Sequence, residues 1–357
     1  MQRLRSITLT QFRNYDFRHF DLDAPVVAIS GNNGVGKTNL LDAVYYLCFT
    51  KSYFQSKEIN NVQEGKEGFR VAGIFGDAAT EEQSTIIWKE GKKRLLVDEV
   101  PVEKMTSYIG KHTALMIAPD DIELVNGASA VRRKFFDGLL SQADPLYLEN
   151  LIHYQKVLEQ KNAFLKQSAY PINQDLLEIY DRQLADTGTY LLQKRLEISE
   201  HIPGLVRRFY ESIAHQKEAI DVRYNPCVQD PGQLFAMLRY QRGRDIEARR
   251  STLGLHTEDW LLLLNELPYK THASQGQKKS LLIGMKLAQL EWLRNLGKTP
   301  LVLLDDIFEK LDKERIQRLF SLLSTLAIPQ IFMTHTSAAD IRLSLSGHFK
   351  EIKSIEL

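Results

Sequence analysis

Cysteine is scarce in this chain of 357 residues. Cys48 and Cys227 are the only two, too few for a disulfide framework or a four-ligand zinc site. Cys48 lies in the apolar run LLDAVYYLCF, where a thiol serves as a small buried core residue. The nine histidines show no HExxH or comparable ligand spacing. No run approaches the ~18 apolar residues of a membrane span, and the start, MQRLRSITLTQFRNY, has no signal-peptide core. The expectation is a soluble, cytoplasmic protein with no membrane partner. Net charge is nearly absent too. The formal value is +1, so no global field attracts nucleic acid and any such contact must be a local patch. Internal repeats, low-complexity linkers and sustained heptads are missing as well.

What remains is ordinary globular composition, 43% apolar and 25% charged, long enough for one large domain or two. The first 30 residues read as strands: LRSITLTQF and FRHFDLD alternate, and APVVAIS is a short buried run. A helix is expected from about Thr38 to Phe49. Strands follow in FRVAGIF, STIIWKEG and KRLLVDEVPV, with a hairpin turn around Glu90–Lys92, and then in HTALMIAPDD. From about Asp121 the period turns helical. One long helix opens at Pro145, and a second amphipathic stretch runs from 172 to 202. The short strand AIDVRY interrupts the helices. PLVLLDD, a helix, QIFMTH and the alternating tail FKEIKSIEL close the chain. This order places the two ends in one sheet with a helical lobe inserted between them. The expected organisation is an α/β lobe of 1–118 plus 295–357 and a mainly helical lobe of 119–294.

Gly31, Asn32, Asn33, Gly34, Val35, Gly36, Lys37 and Thr38 fit the phosphate-loop pattern GxxxxGK[ST]. The motif follows an apolar strand and opens a helix, the context that such a loop requires. Glycines let the backbone wrap an anion, and N–H groups at the helix start point at phosphates. Lys37 supplies charge to the β- and γ-phosphates, and the Thr38 hydroxyl is a Mg²⁺ ligand. ATP and Mg²⁺ are the expected cofactors.

Two acids end the apolar strand LVLLDDIF, and ligands of open α/β sheets bind at that end of their strands. Asp305 is the expected Mg²⁺ partner, and Asp306 is placed to orient or deprotonate an attacking water; capping of the next helix is the competing role. QIFMTH ends in His335, read as a γ-phosphate contact on a neighbouring strand.

A second anion-binding helix start appears at Ser274, Gln275, Gly276 and Gln277. Its hydroxyl, bare N–H groups and positive dipole end suit a phosphate, although Ser274 also suits an ordinary N-cap. Two such elements on one chain need not serve one nucleotide within one molecule. A two-fold dimer would set each SQGQ against its partner's phosphate loop, with ATP trapped between subunits.

In this order, the phosphate loop, SQGQ, LVLLDD, the block Glu309–Asp312 and His335 resemble the parts of an ABC-type ATPase head. Within that class the chain resembles the RecF family of bacterial recombination and repair proteins. LTQFRNYDF, GVGKTNLLDAVYYL, APDDIELVNGASAVRRKFFDGLL, YQKVLEQKNAFL and SQGQKKSLLIGMKLAQ carry the likeness nearly end to end. It departs from the family's usual pattern at GLHTEDW, at QKN and at His335, where most relatives carry threonines. The resemblance implies an α/β ABC-type head without a long coiled coil. It also implies ATP-dependent binding of double-stranded, gapped or junction DNA and work with RecO and RecR in loading recombinase. SMC proteins separate the same motifs with hundreds of coiled-coil residues that this chain does not have. An ABC transporter subunit and a P-loop nuclease are the remaining alternatives.

Two basic clusters are the candidate DNA contacts. One is Arg132, Arg133 and Lys134; the other holds Arg239, Arg242, Arg244, Arg249 and Arg250. Either can equally be a solvated helix face. Neither has the interleaved aromatics of base readout, so backbone recognition is expected.

Overall fold

The computed structural model describes residues 3–77, 79–167, 172–326 and 328–357, with the side chains of 309, 310 and 338 outside the description. The side chains of Glu309 and Lys310 in the expected Glu309–Asp312 block therefore lie outside the described residues. The chain divides into two units. One comprises Met1–Asp121, Ser212–His215 and Ile283–Leu357, the other Ile122–Glu211 and Gln216–Leu282. The boundaries expected after 118 and 294 fall instead after Asp121 and Leu282. The reason lies in the helix Gln275–Asn295, whose later turns pack in the first unit, where buried Lys286 Nζ donates to Met116 O at 2.7 Å.

The first unit is built on two sheets. Its five parallel strands run in the order Ile352–Glu356, Val26–Ser30, Ile331–His335, Leu301–Leu304, Ala114–Ile117. The last four of these are buried at every position, because both faces of a parallel sheet are covered. That is why they read as continuous apolar runs. The second sheet is antiparallel, in the order Tyr15–Asp21, Arg3–Phe12, Gly68–Gly76, Glu81–Lys89, Lys92–Val97, Val100–Pro101. Strict alternation fails in its first strand, where Leu4 and Ile7 both face the core. A register shift between Leu4 and Ser6 accounts for it: one bulged residue returns the strand to the same face.

The helix Lys37–Phe49 touches strands of both sheets and is buried almost all round, which explains why LLDAVYYLCF shows no polar stripe. Gln330 ties the two layers together. Its Nε2 donates to Leu4 O (3.1 Å), Leu22 O (2.6 Å) and Ala24 O (3.1 Å), and its Oε1 accepts from Leu4 N (2.9 Å). The turn expected around Glu90–Lys92 is a two-residue turn at Glu90 and Gly91, with φ of 52° and 75°. Positive φ at both positions is the hairpin geometry that matches strand twist.

The second unit holds the long helices Pro145–Gln167 and Gln174–Ala214, the latter leaving it only at its final residues. The second amphipathic pattern therefore continues well past 202, through Pro203. A three-stranded antiparallel sheet also lies here: Ile220–Asn225, Asp259–Leu264 and Leu267–Pro268. Only its first strand was anticipated, as AIDVRY. The GLHTEDW segment leads into the central strand. Buried Glu258 accepts from Arg195, Tyr224 and the Cys227 amide. Trp260 stacks on Phe136 at 3.7 Å and Tyr224 at 4.6 Å. The family departure thus falls in the core of this unit.

Gly73 lies where the helix packs on the antiparallel sheet, and an added Cβ there would collide with Leu47 Cδ1 and Leu4 Cδ1. Leu47→Ala is expected to cost ~2–5 kcal/mol. Gly73→Ala should destabilise the wild type by overpacking and the Leu47→Ala background by less. A double-mutant cycle in denaturant measures this, and strict additivity would show that the two positions do not share space.

Candidate nucleotide-binding site

The phosphate loop leaves the strand Val26–Ser30 and enters the helix Lys37–Phe49. Gly34 (φ 85°) and Gly36 (φ 112°) hold left-handed backbone. A Cβ at Gly36 would collide with the Asn14 amide and the Tyr15 hydroxyl, whereas Gly34 has open space and needs glycine for its φ alone. Gly31 also has positive φ, Asn32, Asn33 and Gly34 are exposed, and Val35 is half-buried. Lys37 is buried, its Nζ donating to Gly31 O at 2.9 Å and Asn32 O at 3.0 Å. The ammonium thus already makes, within the loop, carbonyl contacts that a phosphate oxygen would have to replace.

Asp305 follows the strand Leu301–Leu304. Thr38 Oγ1 donates to both of its oxygens, at 3.0 and 3.2 Å, and Thr334 Oγ1 donates to Oδ1 at 2.8 Å. Burial pushes the Asp305 carboxyl up from the ordinary range; the two hydroxyls oppose this, and neighbouring Asp306 adds to it. Asp306 has φ 43° and ψ 40° and makes no side-chain cap to the four-residue helix Ile307–Lys310, which removes the capping role. Its amide donates to Thr334 Oγ1 at 3.0 Å, while its Oδ1 is buried without a partner. His335 lies in register with Ser30 at the base of the phosphate loop. Its ring is 4.7 Å from Phe308, and its buried Nδ1 has no partner. Two orphaned polar atoms therefore belong to residues next in sequence to Asp305 and to Thr334, which donates to it, although buried groups are normally paired.

Thr38 Oγ1 and the Asp305 carboxylate fit Mg²⁺, which takes oxygen ligands and is typically bound through one or two carboxylates plus substrate phosphates. Among the described residues there is no group of three or more His, Cys, Asp or Glu side chains able to hold a metal alone. A Mg²⁺ held here by Thr38 and Asp305 would take its remaining ligands from water and phosphate oxygens.

A support was missed in the sequence. The turn between the first two strands braces the loop: Asn14 Nδ2 donates to Val35 O at 2.9 Å and Tyr15 Oη to Gly36 O at 3.0 Å. Arg13 pairs with Asp42, which is fully buried in the phosphate-loop helix, and donates to Asn39 Oδ1 (2.8 Å) and Ser52 Oγ (2.9 Å). Burial pushes the Asp42 carboxyl up and the Arg13 guanidinium down, and their attraction opposes both shifts. An acid inside LLDAVYYL was the available signal, since a buried carboxylate requires a partner.

In the second unit, Ser274 is exposed at the start of the helix Gln275–Asn295. Gln277 N donates to Ser274 Oγ (3.2 Å), and Ser274 N donates to Gln277 Oε1 (2.6 Å). This reciprocal capping box realises the N-cap role. Gln277 Nε2 donates to Glu218 Oε1 at 2.7 Å, and Tyr210 holds the other Glu218 oxygen. Gln275 is exposed and Gly276 half-buried.

The basic clusters separate. Arg132 makes a bidentate pair with Asp259 (2.8 and 2.9 Å), Arg133 donates to Ser129 Oγ and Glu258 O, and Arg242 pairs with buried Asp181 at 2.6 Å. These three are committed inside the unit, because desolvated carboxylates and a carbonyl need their charge. Lys134 and Arg244 remain exposed.

The RecF/RecN/SMC N terminal domain model matches residues 3–343. The DNA replication and repair protein RecF of Cytophaga hutchinsonii is 35% identical over 93% of this chain and 88% of its own length. The protein of the same name from Leptospira interrogans is 30% identical over 99% and 97%. A solved structure of the recombination mediator protein RecF-ATPrS in the RecFOR pathway superposes with a TM-score of 0.87 at 29% identity, covering 95% of this chain and 94% of that one. An Smc head bound to the C-terminal winged helix domain of ScpA matches at 0.54 and 12%, a likeness of fold.

Because the raised Asp305 pKa means the folded state disfavours the charged form, ionised Asp305 weakens the fold at neutral pH. Asp305→Asn is expected to raise the melting temperature of the nucleotide-free protein by about 2 °C and to abolish the part of the rise with ATP that requires Mg²⁺. Thermal scans with and without both ligands check it. A variant that still gains stability from Mg²⁺ would displace Asp305 from the metal.

Proposed function

This chain belongs to the RecF family of DNA replication and repair proteins, and from that premise we propose that it is an ATP-gated DNA-binding dimer of recombinational repair and replication-gap processing. Gly31 to Thr38 hold the triphosphate, and Thr38 and Asp305 hold Mg²⁺. Asp306 orients the attacking water, and His335 contacts the γ-phosphate. Ser274 to Gln277 of one copy close over the nucleotide of the other. The observation that carries this reading is exposed Ser274: its Oγ accepts the capping bond from Gln277 N, which leaves the hydroxyl proton for a phosphate of another molecule.

Bound ATP makes the dimer, and hydrolysis removes the γ-phosphate that both copies share. Slow turnover suits such a switch, because DNA must be held for the lifetime of the closed state. Closure brings two DNA-contacting surfaces to one duplex, and doubling contacts on one ligand multiplies affinity without a new contact type. Nucleotide and DNA then strengthen each other's binding by the same factor. Double-stranded or gapped DNA is the ligand, and RecO and RecR are the protein partners with which recombinase is loaded onto single strands. No described helix is long and apolar enough to cross a membrane, and none of the relatives described above is a transporter subunit or a nuclease.

Sedimentation with and without ATP and Mg²⁺ tests the switch. The mass should double with both ligands, remain monomeric for Ser274→Arg, and stay dimeric far longer for Asp306→Asn. Lys37→Arg should retain some nucleotide binding and lose hydrolysis, since a planar diffuse cation replaces a compact one. An unchanged mass for the wild type would overturn the proposal.

A further inference from the structure

With Arg132, Arg133 and Arg242 committed internally, the exposed face of the antiparallel sheet carries an unassigned positive patch in the first unit. Strand register defines it. Phe17 is paired with Thr10, Thr10 with Arg70, Arg70 with Ile87 and Ile87 with Arg94, forming one row across five strands. The adjoining row pairs Gly68 with Lys89 and Lys89 with Lys92. Residues paired directly across strands share a face, so Arg70, Lys89, Lys92 and Arg94 all project from the same side, and all four are exposed. A groove of about 520 Å³ opens there, lined by Lys66, Arg70 and Lys89 among others.

The charge is poorly compensated. Lys89 has Glu67 at 3.7 Å and Glu90 at 3.8 Å, and Lys66 has Asp16 at 3.9 Å; exposed pairs at such distances contribute little. Arg70, Lys92 and Arg94 have no ion pair among the described residues. Lys89 faces Lys92 directly, and like charges opposite each other in a sheet are destabilising. Glu81, Asp21 and Asp23 lie at the other end of the same sheet, around Arg5, so cations are concentrated at the Gly65–Lys92 end. A polyanion relieves this repulsion.

We propose that this end of the sheet is a docking surface for the phosphate backbone of duplex DNA; the proposal rests on the DNA-binding reading above and names a surface for it. A protein partner would need an apolar interface core, but Ile87 is half-buried between the two arginines in its row. A single strand would need aromatic platforms. Trp88 stacks on buried Phe69, and Phe17 stands two strands from Arg70. Flexible cations without stacking rings suit sequence-independent contact with phosphates.

Two variants of the full chain test the surface, with a short blunt duplex and a single strand of the same sequence as probes, in ATP and Mg²⁺. Arg70→Glu/Arg94→Glu is expected to weaken duplex binding at least ~10-fold near 0.1 M salt and to reduce the slope of log K against log salt by about 2. ATP-dependent self-association and DNA-free ATP hydrolysis should be unchanged. Lys92→Glu sets an opposite charge across from Lys89, so it should keep or raise the melting temperature while weakening duplex binding, which separates docking from stability. If the wild type binds duplex and both variants match it in affinity and salt slope, the surface is wrong and the DNA-binding reading stands. Loss confined to the single strand, or to a RecO or RecR partner, also overturns the surface. A wild type that binds no duplex in any nucleotide state overturns both.

Discussion

One buried carboxylate organises the first unit. Asp305 is reached by a hydroxyl 267 positions away in sequence, Thr38, and by another 29 positions away, Thr334. Each belongs to a different element: the phosphate-loop helix, the strand before Asp305 and the strand beside it. Burial makes the ionised carboxylate costly, and two hydroxyl donors only partly offset the cost. The site is therefore held in a state that a divalent cation would relieve. The same arrangement places Asp306 and His335 with polar atoms unsatisfied at the edge of the sheet, where the strand ends open towards the phosphate loop. Local strain at Asp306, in left-handed backbone, belongs to the same design: positions of this kind cluster at functional sites.

The support beneath the loop follows the same logic. A fully buried Asp42 inside an otherwise apolar helix is tolerable only because Arg13, Ser52 and the Tyr53 amide meet it. Removing one member of such a pair strands the other, which is far costlier than never having buried either. The first turn of the antiparallel sheet thus fixes the height and tilt of the phosphate-loop helix. The charged pair specifies position, while the apolar core around Leu40, Val44 and Leu47 supplies the favourable burial.

Much of this was legible in the residues alone. The phosphate loop, the Leu301–Leu304 strand with its two acids and the strand ending at His335 were visible because both-faces burial leaves unbroken apolar runs bounded by chemistry-bearing side chains. The parallel pairing of distant ends followed from the order of elements. Less was visible where contact decides the role. Arg132, Arg133 and Arg242 look like parts of two solvent-facing basic clusters until the Asp259 and Asp181 carboxylates and the Glu258 carbonyl are brought to them by the fold, and no local pattern announces a long-range acceptor. DWLLLL has too little alternation to announce a strand inside a helical unit. Ser274 fitted two readings in sequence, and the capping box shows that they are compatible: a serine can accept from its own helix and still carry a proton outward.

The seating of the phosphate-loop strand has a consequence for biosynthesis. Its two neighbours, Ile331–His335 and Ile352–Glu356, are made some 300 residues after it, and Gln330 must arrive before Leu4, Leu22 and Ala24 find their shared amide. As the polypeptide leaves the ribosome, Val26–Ser30 waits as an apolar strand without partners, a species prone to misassociation. The phosphate loop thus gains both strand neighbours only when synthesis is nearly finished, and a prematurely terminated product carries the motif on an unpaired strand.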